Sequence, residues 1–228
     1  MHRKDITFQP LAPRRTPRQK RSQILFDKIL STAKTLFKQH GYAYVSTNTI
    51  AEKANISIGS LYQYFSNCES IALAVYEDAC SKAALTLKRR ALESLSIPLA
   101  TSIPQHIAWT FDLFEKDRYA LLQLINEVPQ LRRVNYPFSF DCLIHHTTQM
   151  YLEHHFSDIA RSIIARKAYI IDKCVVAIIG RYLDEKPDFL SKQEAIAEIS
   201  EMIEQYVTAL ERFRKNGLAG PRGITPTA

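Results

Sequence analysis

No apolar run in this 228-residue chain reaches the roughly 18 residues that a membrane span needs. The nearest, residues 170–180, is interrupted by Asp172 and Lys173, so no association with a membrane is expected. The four cysteines (Cys68, Cys80, Cys142 and Cys174) show no C-x-x-C spacing. The basic N-terminal stretch is followed by no apolar segment, so a secretory signal is not expected and reduced thiols in the cytoplasm are. H-E-x-x-H, P-loop, G-x-S-x-G and paired-carboxylate arrangements are all missing, which argues against an enzyme. Internal repeats and low-complexity tracts are missing too, and no stretch alternates convincingly as a strand would. What these absences leave is an all-α binding protein.

Hydrophobic content of 46% supports a real core, and 23% charged residues is ordinary. The distribution of charge is not ordinary. Residues 1–68 hold eleven Lys/Arg against three Asp/Glu, a charge of +8, while residues 69–228 hold nineteen against twenty, a charge of −1. The net +7 of the chain therefore sits on its first third, which points to a polyanion at that end.

Residues 1–20 are rich in proline and basic side chains and read as a flexible arm. Arg14, Arg15, Arg18, Lys20 and Arg21 cluster just before the first helix, where they would track phosphates or enter a minor groove. Residues 22–40 carry Ile24, Leu25, Ile29, Ala33, Leu36 and Phe37 on one helical face, with Gly41 placed to end the helix. Asn67 can cap a long helix running towards Arg90. Pro98 and Pro104 mark a loop and a new helix start, and further helices are predicted over 105–116, 117–128, 138–155, 159–183 and 192–215. The sum is roughly nine helices. The domains expected are the arm at 1–20, a small DNA-binding domain at 21–68, a larger helical domain at 69–216 and a disordered tail at 217–228.

The stretch 46–65, STNTIAEKANISIGSLYQYF, organises the rest. Thr47 to Ala54 reads as a short helix, with Ser46 or Thr47 as its N-cap and Ile50, Ala51 and Ala54 on its apolar face. Asn55 can take the left-handed conformation that opens a tight turn, and Ser57 can cap a second short helix carrying Ile58, Leu61, Tyr62 and Phe65. Two helices of about two turns joined by three or four residues have the dimensions of a helix-turn-helix. Thr47, Asn48, Ser57, Gly59, Ser60, Tyr62, Gln63 and Tyr64 are its predicted DNA surface. Gln63 is suited to reading adenine bidentately, and Gly59 and Ser60 to close approach. Thr47, Tyr62 and Tyr64 are suited to holding phosphates, and Tyr64→Ala is expected to weaken DNA binding without unfolding the protein.

IAEKANISIGSLYQYF resembles the DNA-binding signature of the TetR family of bacterial transcriptional regulators: an Ile-Ala pair, a small turn residue, then Gly-x-x-Tyr-x-Tyr/His-Phe. The resemblance spans about residues 20 to 85. Two positions depart from it. Asn55 stands where the family often has Gly, a mild change because Asn tolerates positive φ, and Cys68 stands where a phosphate-contacting Lys is common. The resemblance implies the same broad roles for the predicted surface residues. It also implies a homodimer paired through the last two helices, and middle helices enclosing an effector pocket whose filling moves the DNA-binding domains apart.

Two apolar stripes suit such a dimer, among them Ile171, Val175, Ile178 and Ile179 on one helix and Ile199, Ile203, Tyr206 and Leu210 on the next. Either stripe could instead face the core of its own domain. A dimer would carry two motifs to successive major grooves about 34–36 Å apart on a near-palindromic duplex. Trp109, Phe111, Phe114, Tyr119, Phe138 and Met150, with Leu122, Phe140 and Tyr151, supply apolar and aromatic surface for a pocket, which would favour an apolar or aromatic small molecule. His145, His146, His154 and His155 invite a metal reading, but from 145 to 154 or 155 is nine or ten residues, too far along a helix for a shared ion without other partners. The expected function is a ligand-released repressor of transcription without a cofactor. Two rival readings remain at this point. An effector-independent architectural DNA-binding protein would lack a defined site, and an all-α enzyme would leave the motif and the charge asymmetry without a purpose.

Overall fold

A computed structural model describes residues 19–133 and 140–215, and every regular element among them is helical. The chain divides into two compact units, one within residues 1–82 and 117–136 and the other within 83–116 and 137–228. The division falls inside two helices, after Lys82 and after Lys116, rather than at the predicted domain boundary near residue 68.

The first unit opens with α1 (Lys20–His40), which buries Ile29, Leu30, Ala33, Leu36 and Phe37. Gly41 ends it at φ 80°, a conformation that strains a residue with a Cβ, and donates its N–H to Phe37 O at 2.8 Å. A 3₁₀ turn (Tyr42–Tyr44) leads to α2 (Thr47–Lys53), where Ser46 Oγ accepts from the Thr49 N–H at 3.1 Å. Asn55 turns the chain at φ 49°, and Ser57 Oγ caps α3 (Ile58–Tyr62) by accepting from the Ser60 N–H at 3.1 Å. Phe65 is fully buried and stacks on Phe26 with centroids 5.1 Å apart. Next comes α4 (Cys68–Glu93), where Asn67 Oδ1 accepts from the Ser70 N–H at 2.8 Å. Its first turns bury Ile71, Ala72, Leu73, Ala74 and Val75, which is why residues 69–82 belong to this unit.

Residues 117–133 complete the same unit. They contain a π-helical turn (Tyr119–Gln123), α6 (Leu124–Glu127) and α7 (Pro129–Arg133) in place of the single helix predicted over 117–128. Tyr119, Leu121, Leu124, Val128 and Leu131 are buried there. Polar ties reinforce this packing. The Lys34 ammonium pairs with Asp117, and Gln130 Nε2 donates to Glu69 Oε1 at 2.9 Å. Glu127 Oε2 accepts both the Tyr42 N–H at 2.6 Å and the Tyr119 hydroxyl at 2.8 Å. Burial, then the Glu127 hydrogen bond, pushes the Tyr119 phenol up from its ordinary pKa, so it stays a donor at any physiological pH. Glu127→Ala should cost about 1 kcal/mol, the ordinary worth of such bonds at a partly exposed site. Urea unfolding checks this, and an unchanged midpoint would show that Glu127 does not hold the 3₁₀ turn.

The second unit contains the end of α4, α5 (Leu99–Arg118, leaving this unit after Lys116), α8 (Phe140–His155), α9 (Arg161–Glu185) and α10 (Lys192–Lys215). The helix expected to start after Pro104 begins at Leu99 instead. Pro98 O accepts from the Thr101 and Ser102 N–H groups, and Pro104 lies inside the helix. Lys186 ends α9 at φ 46°, and Ser191 and Glu194 exchange backbone-to-side-chain bonds at the start of α10 as a capping box does.

Six of the eight residues predicted to face a partner are instead buried in their own protomer: Ile171, Val175, Ile179, Ile199, Ile203 and Leu210. Ile178 is exposed and Tyr206 half-buried; Tyr169, Ile170 and Met202 are also exposed. The correction has a simple cause. A helix with apolar residues on both its inner and outer faces does not reveal by spacing which face is which.

Candidate nucleic-acid interface and cavity

The caps that define α2 and α3 also set what their surface offers. Asn48, Ser57, Gly59, Tyr62 and Gln63 are exposed, while Thr47 and Ser60 are half-buried. Ser57 and Ser60 hydroxyls are hydrogen-bonded at 2.8 Å, and Thr47 Oγ1 is bonded to the Tyr62 hydroxyl at 3.2 Å, so the two helices share a polar rim. A Cβ built on Gly59 would meet nothing nearer than Ser57 Oγ at 3.9 Å. Glycine is therefore not required there by the protomer.

Tyr64 is a correction to the predicted surface. It is buried and meets Phe26 edge-on at 6.0 Å, because the chain beyond α3 turns it inward beside Phe65. Its replacement by alanine would therefore act on the core. Sequence reasoning missed Tyr44, which is 85% exposed in the turn before α2, since its spacing matches no helical face. Arg15 and Arg18 lie outside the described residues. Cys68, at the position where the family often has lysine, donates Sγ–H to Val45 O at 3.3 Å. Burial pushes its thiol up to about 11, so it holds little thiolate at neutral pH, which argues against a reactive redox switch.

The second unit contains a partly open cavity of about 110 Å³. Its walls are mostly apolar: Leu87, Ile103, Ile107, Ile144, Val175 and Ile203 are among them. Trp109 and Tyr151 line it, whereas Phe111, Phe114, Tyr119, Leu122 and Met150 do not. Phe111 and Phe114 are buried elsewhere in this unit, Met150 is half-buried outside the lining, and Tyr119 and Leu122 belong to the first unit. Phe138 lies outside the described residues.

Four polar groups on the wall had no sequence signal beyond their helical phase. Arg90 lies over the Trp109 ring, 4.8 Å from its centroid. His106 Nε2 is bonded to Ser94 Oγ at 2.8 Å, and burial pushes its imidazole down to about 4, leaving it neutral. Thr148 Oγ1 donates to Asp172 Oδ1 at 2.6 Å, and His145 Nδ1 lies 3.1 Å from Asp172 Oδ2. Asp172 is only 5% exposed. Burial raises its carboxyl to about 6, against the opposing pull of the Thr148 and His145 bonds. Among the described residues no three His, Cys, Asp or Glu side chains converge as a metal site would require. None of the helices described is long and apolar enough to cross a membrane.

The comparisons agree with this geometry. Residues 29–75, which contain α2 and α3, match the family model described as bacterial regulatory proteins of the tetR family. No curated protein sequence matches the chain. Among solved structures, one from Mesorhizobium loti assigned to the TetR family of transcriptional regulators superimposes with a TM-score of 0.69 at 18% identity, covering 84% of this chain and 98% of that one. A tetR-family transcriptional regulator from Streptomyces coelicolor gives 0.64 at 17% identity and 85% of each chain. The fatty acid degradation regulator FadR from Bacillus halodurans gives 0.53 at 12% identity, covering 90% and 100%. At such identities the structures speak for the fold, and the match over 29–75 speaks for the DNA-binding segment. Residues 29–75 thus resemble the DNA-binding segment of the tetR-family regulators, and most of the chain shares the fold of the solved structures.

Proposed function

We propose that the chain is a cytoplasmic, homodimeric repressor that reads a near-palindromic DNA site and is released from it by a small apolar or aromatic effector. The observation that carries this reading is the exposed, glycine-bearing start of α3 on the part of the chain that holds its positive charge. A recognition helix must bring its first turn close to base edges, and a basic surround supplies the phosphate contacts that position it. Arg15 and Arg18 would extend those contacts along the backbone. Ile178 and Tyr206, with exposed Tyr169, Ile170 and Met202, are among the apolar residues of α9 and α10 that remain accessible to a partner copy.

The cavity supports the effector. Repression and release would then be linked equilibria: an effector preferring a conformation that misfits DNA weakens DNA binding, and DNA weakens the effector by the same factor. Coupling of about 1–3 kcal/mol gives roughly 5- to 150-fold release.

The test is selection of bound duplexes from a random pool at two salt concentrations. An enriched palindrome with a steep salt slope supports the regulator, and salt-sensitive binding without enrichment favours an architectural protein. Absence of binding overturns both. Gln63→Ala should relax base preference at one position by about 1–3 kcal/mol while non-specific affinity holds. Repeating the selection with that variant checks it, and an unchanged preference removes Gln63 from base reading.

A further inference from the structure

Resting on the effector reading above, we infer that the cavity of the second unit selects amphipathic amines, holding an apolar or aromatic body against Trp109 and Tyr151 and a protonated nitrogen beside Asp172. An acid with 5% exposure among Ile171, Val175 and other aliphatic side chains is costly to keep as an anion. The partners it has are a hydroxyl from Thr148 and an imidazole from His145, and both leave carboxylate lone pairs open. Asp172 lines the cavity, so a cation placed there would gain a nearly desolvated counter-charge.

The other charged wall group is differently engaged. Arg90 lies over Trp109 and 3.9 Å from Glu93, and its side chain is 41% exposed, so its charge is partly neutralised and well hydrated. His106, its imidazole pushed down by burial to about 4, is neutral at pH 8, and Lys173, next to Asp172 on α9, adds a positive charge that would oppose the preference. Asp172 and Arg90 thus make opposite predictions about ligand charge, and a charge series decides between them.

The chain has a single tryptophan, and it lines the cavity, so intrinsic emission reports occupancy directly. The probes are 3-phenylpropylamine, 3-phenylpropanol and 3-phenylpropionate, which share one body and differ in charge at pH 8. The amine is expected to bind at least about tenfold more tightly than the alcohol, and the carboxylate least tightly. In Asp172→Asn the amine should fall to the affinity of the alcohol. The wild-type series decides the matter even if that variant folds poorly. Equal binding of all three overturns the charge preference and leaves the effector cavity standing. Tightest binding of the carboxylate overturns it in favour of Arg90, a result that would fit an acid-sensing regulator. No change in Trp109 emission with any probe, in protein that still binds its duplex, overturns the inference and the cavity's role together.

Discussion

Gly59→Leu is expected to leave the protein folded and to lower its affinity for its operator about a hundredfold. The two halves of that outcome have separate causes. In the protomer, a Cβ at this position meets Ser57 Oγ at 3.9 Å, an ordinary contact, and leucine in a helix is favoured over glycine by up to about 1 kcal/mol. On DNA, a butyl-sized side chain at the start of α3 would hold the helix off the groove and break the base contacts it makes. Two such contacts at about 1–3 kcal/mol each suffice for the loss. Thermal melting and anisotropy on the selected duplex measure the two halves independently. A melting point that falls by many degrees would mean the glycine serves the fold, and unchanged affinity would mean α3 does not enter the groove. Gly59→Ala should show the same pattern with a smaller loss.

Local signals carried well from sequence to structure wherever one residue type has one physical use. Ser46, Ser57 and Asn67 cap helices as expected, Asn55 takes positive φ, and Gly41 ends α1, because each choice depends on the chain within four residues. Signals that depend on distant partners carried poorly. Pro104 suits a helix start by its ring geometry, but Pro98 supplies the earlier cap through its carbonyl. The π-helical turn at Tyr119–Gln123 has no spacing signature, since its ring and the residues around it are held by Glu127 and by burial in the first unit. Tyr64 shows the limit within the motif itself. Its neighbours Tyr62 and Gln63 are exposed, while its own ring is turned inward, where it meets Phe26 edge-on. The cavity was the least legible feature. Aromatic content pointed to Trp109 and Tyr151, yet the groups that would give it chemical character, Arg90, His106 and Asp172, are single polar residues on long helices.

Asp172→Asn is expected to stabilise the ligand-free protein at pH 8, by about 1–3 kcal/mol, although it removes a charged partner of His145. The sign follows from the direction of the shift. An acid whose folded pKa is raised, here from 3.8 to about 6, favours folding only while protonated. That contribution is fully present below the unfolded value near 4 and is lost as pH rises through about 6. Asparagine does not titrate, can still accept the Thr148 hydroxyl and can offer an N–H to His145, so it escapes the loss. The difference between variant and wild type in urea unfolding should therefore be small near pH 4, intermediate near pH 5 and largest at pH 8. Titrating groups remote from Asp172 are common to both proteins and cancel in that difference, whereas His145, bonded to Asp172, contributes to it. A variant less stable than wild type at pH 8 would mean that the His145–Asp172 pair outweighs the desolvation of the carboxylate. The expected result would instead mark Asp172 as a residue kept at a cost to stability, which is how a buried charge behaves when its purpose is a ligand. An amine that closes the stability gap at pH 8 in wild type, and not in the variant, would tie the strain at Asp172 to the binding it serves.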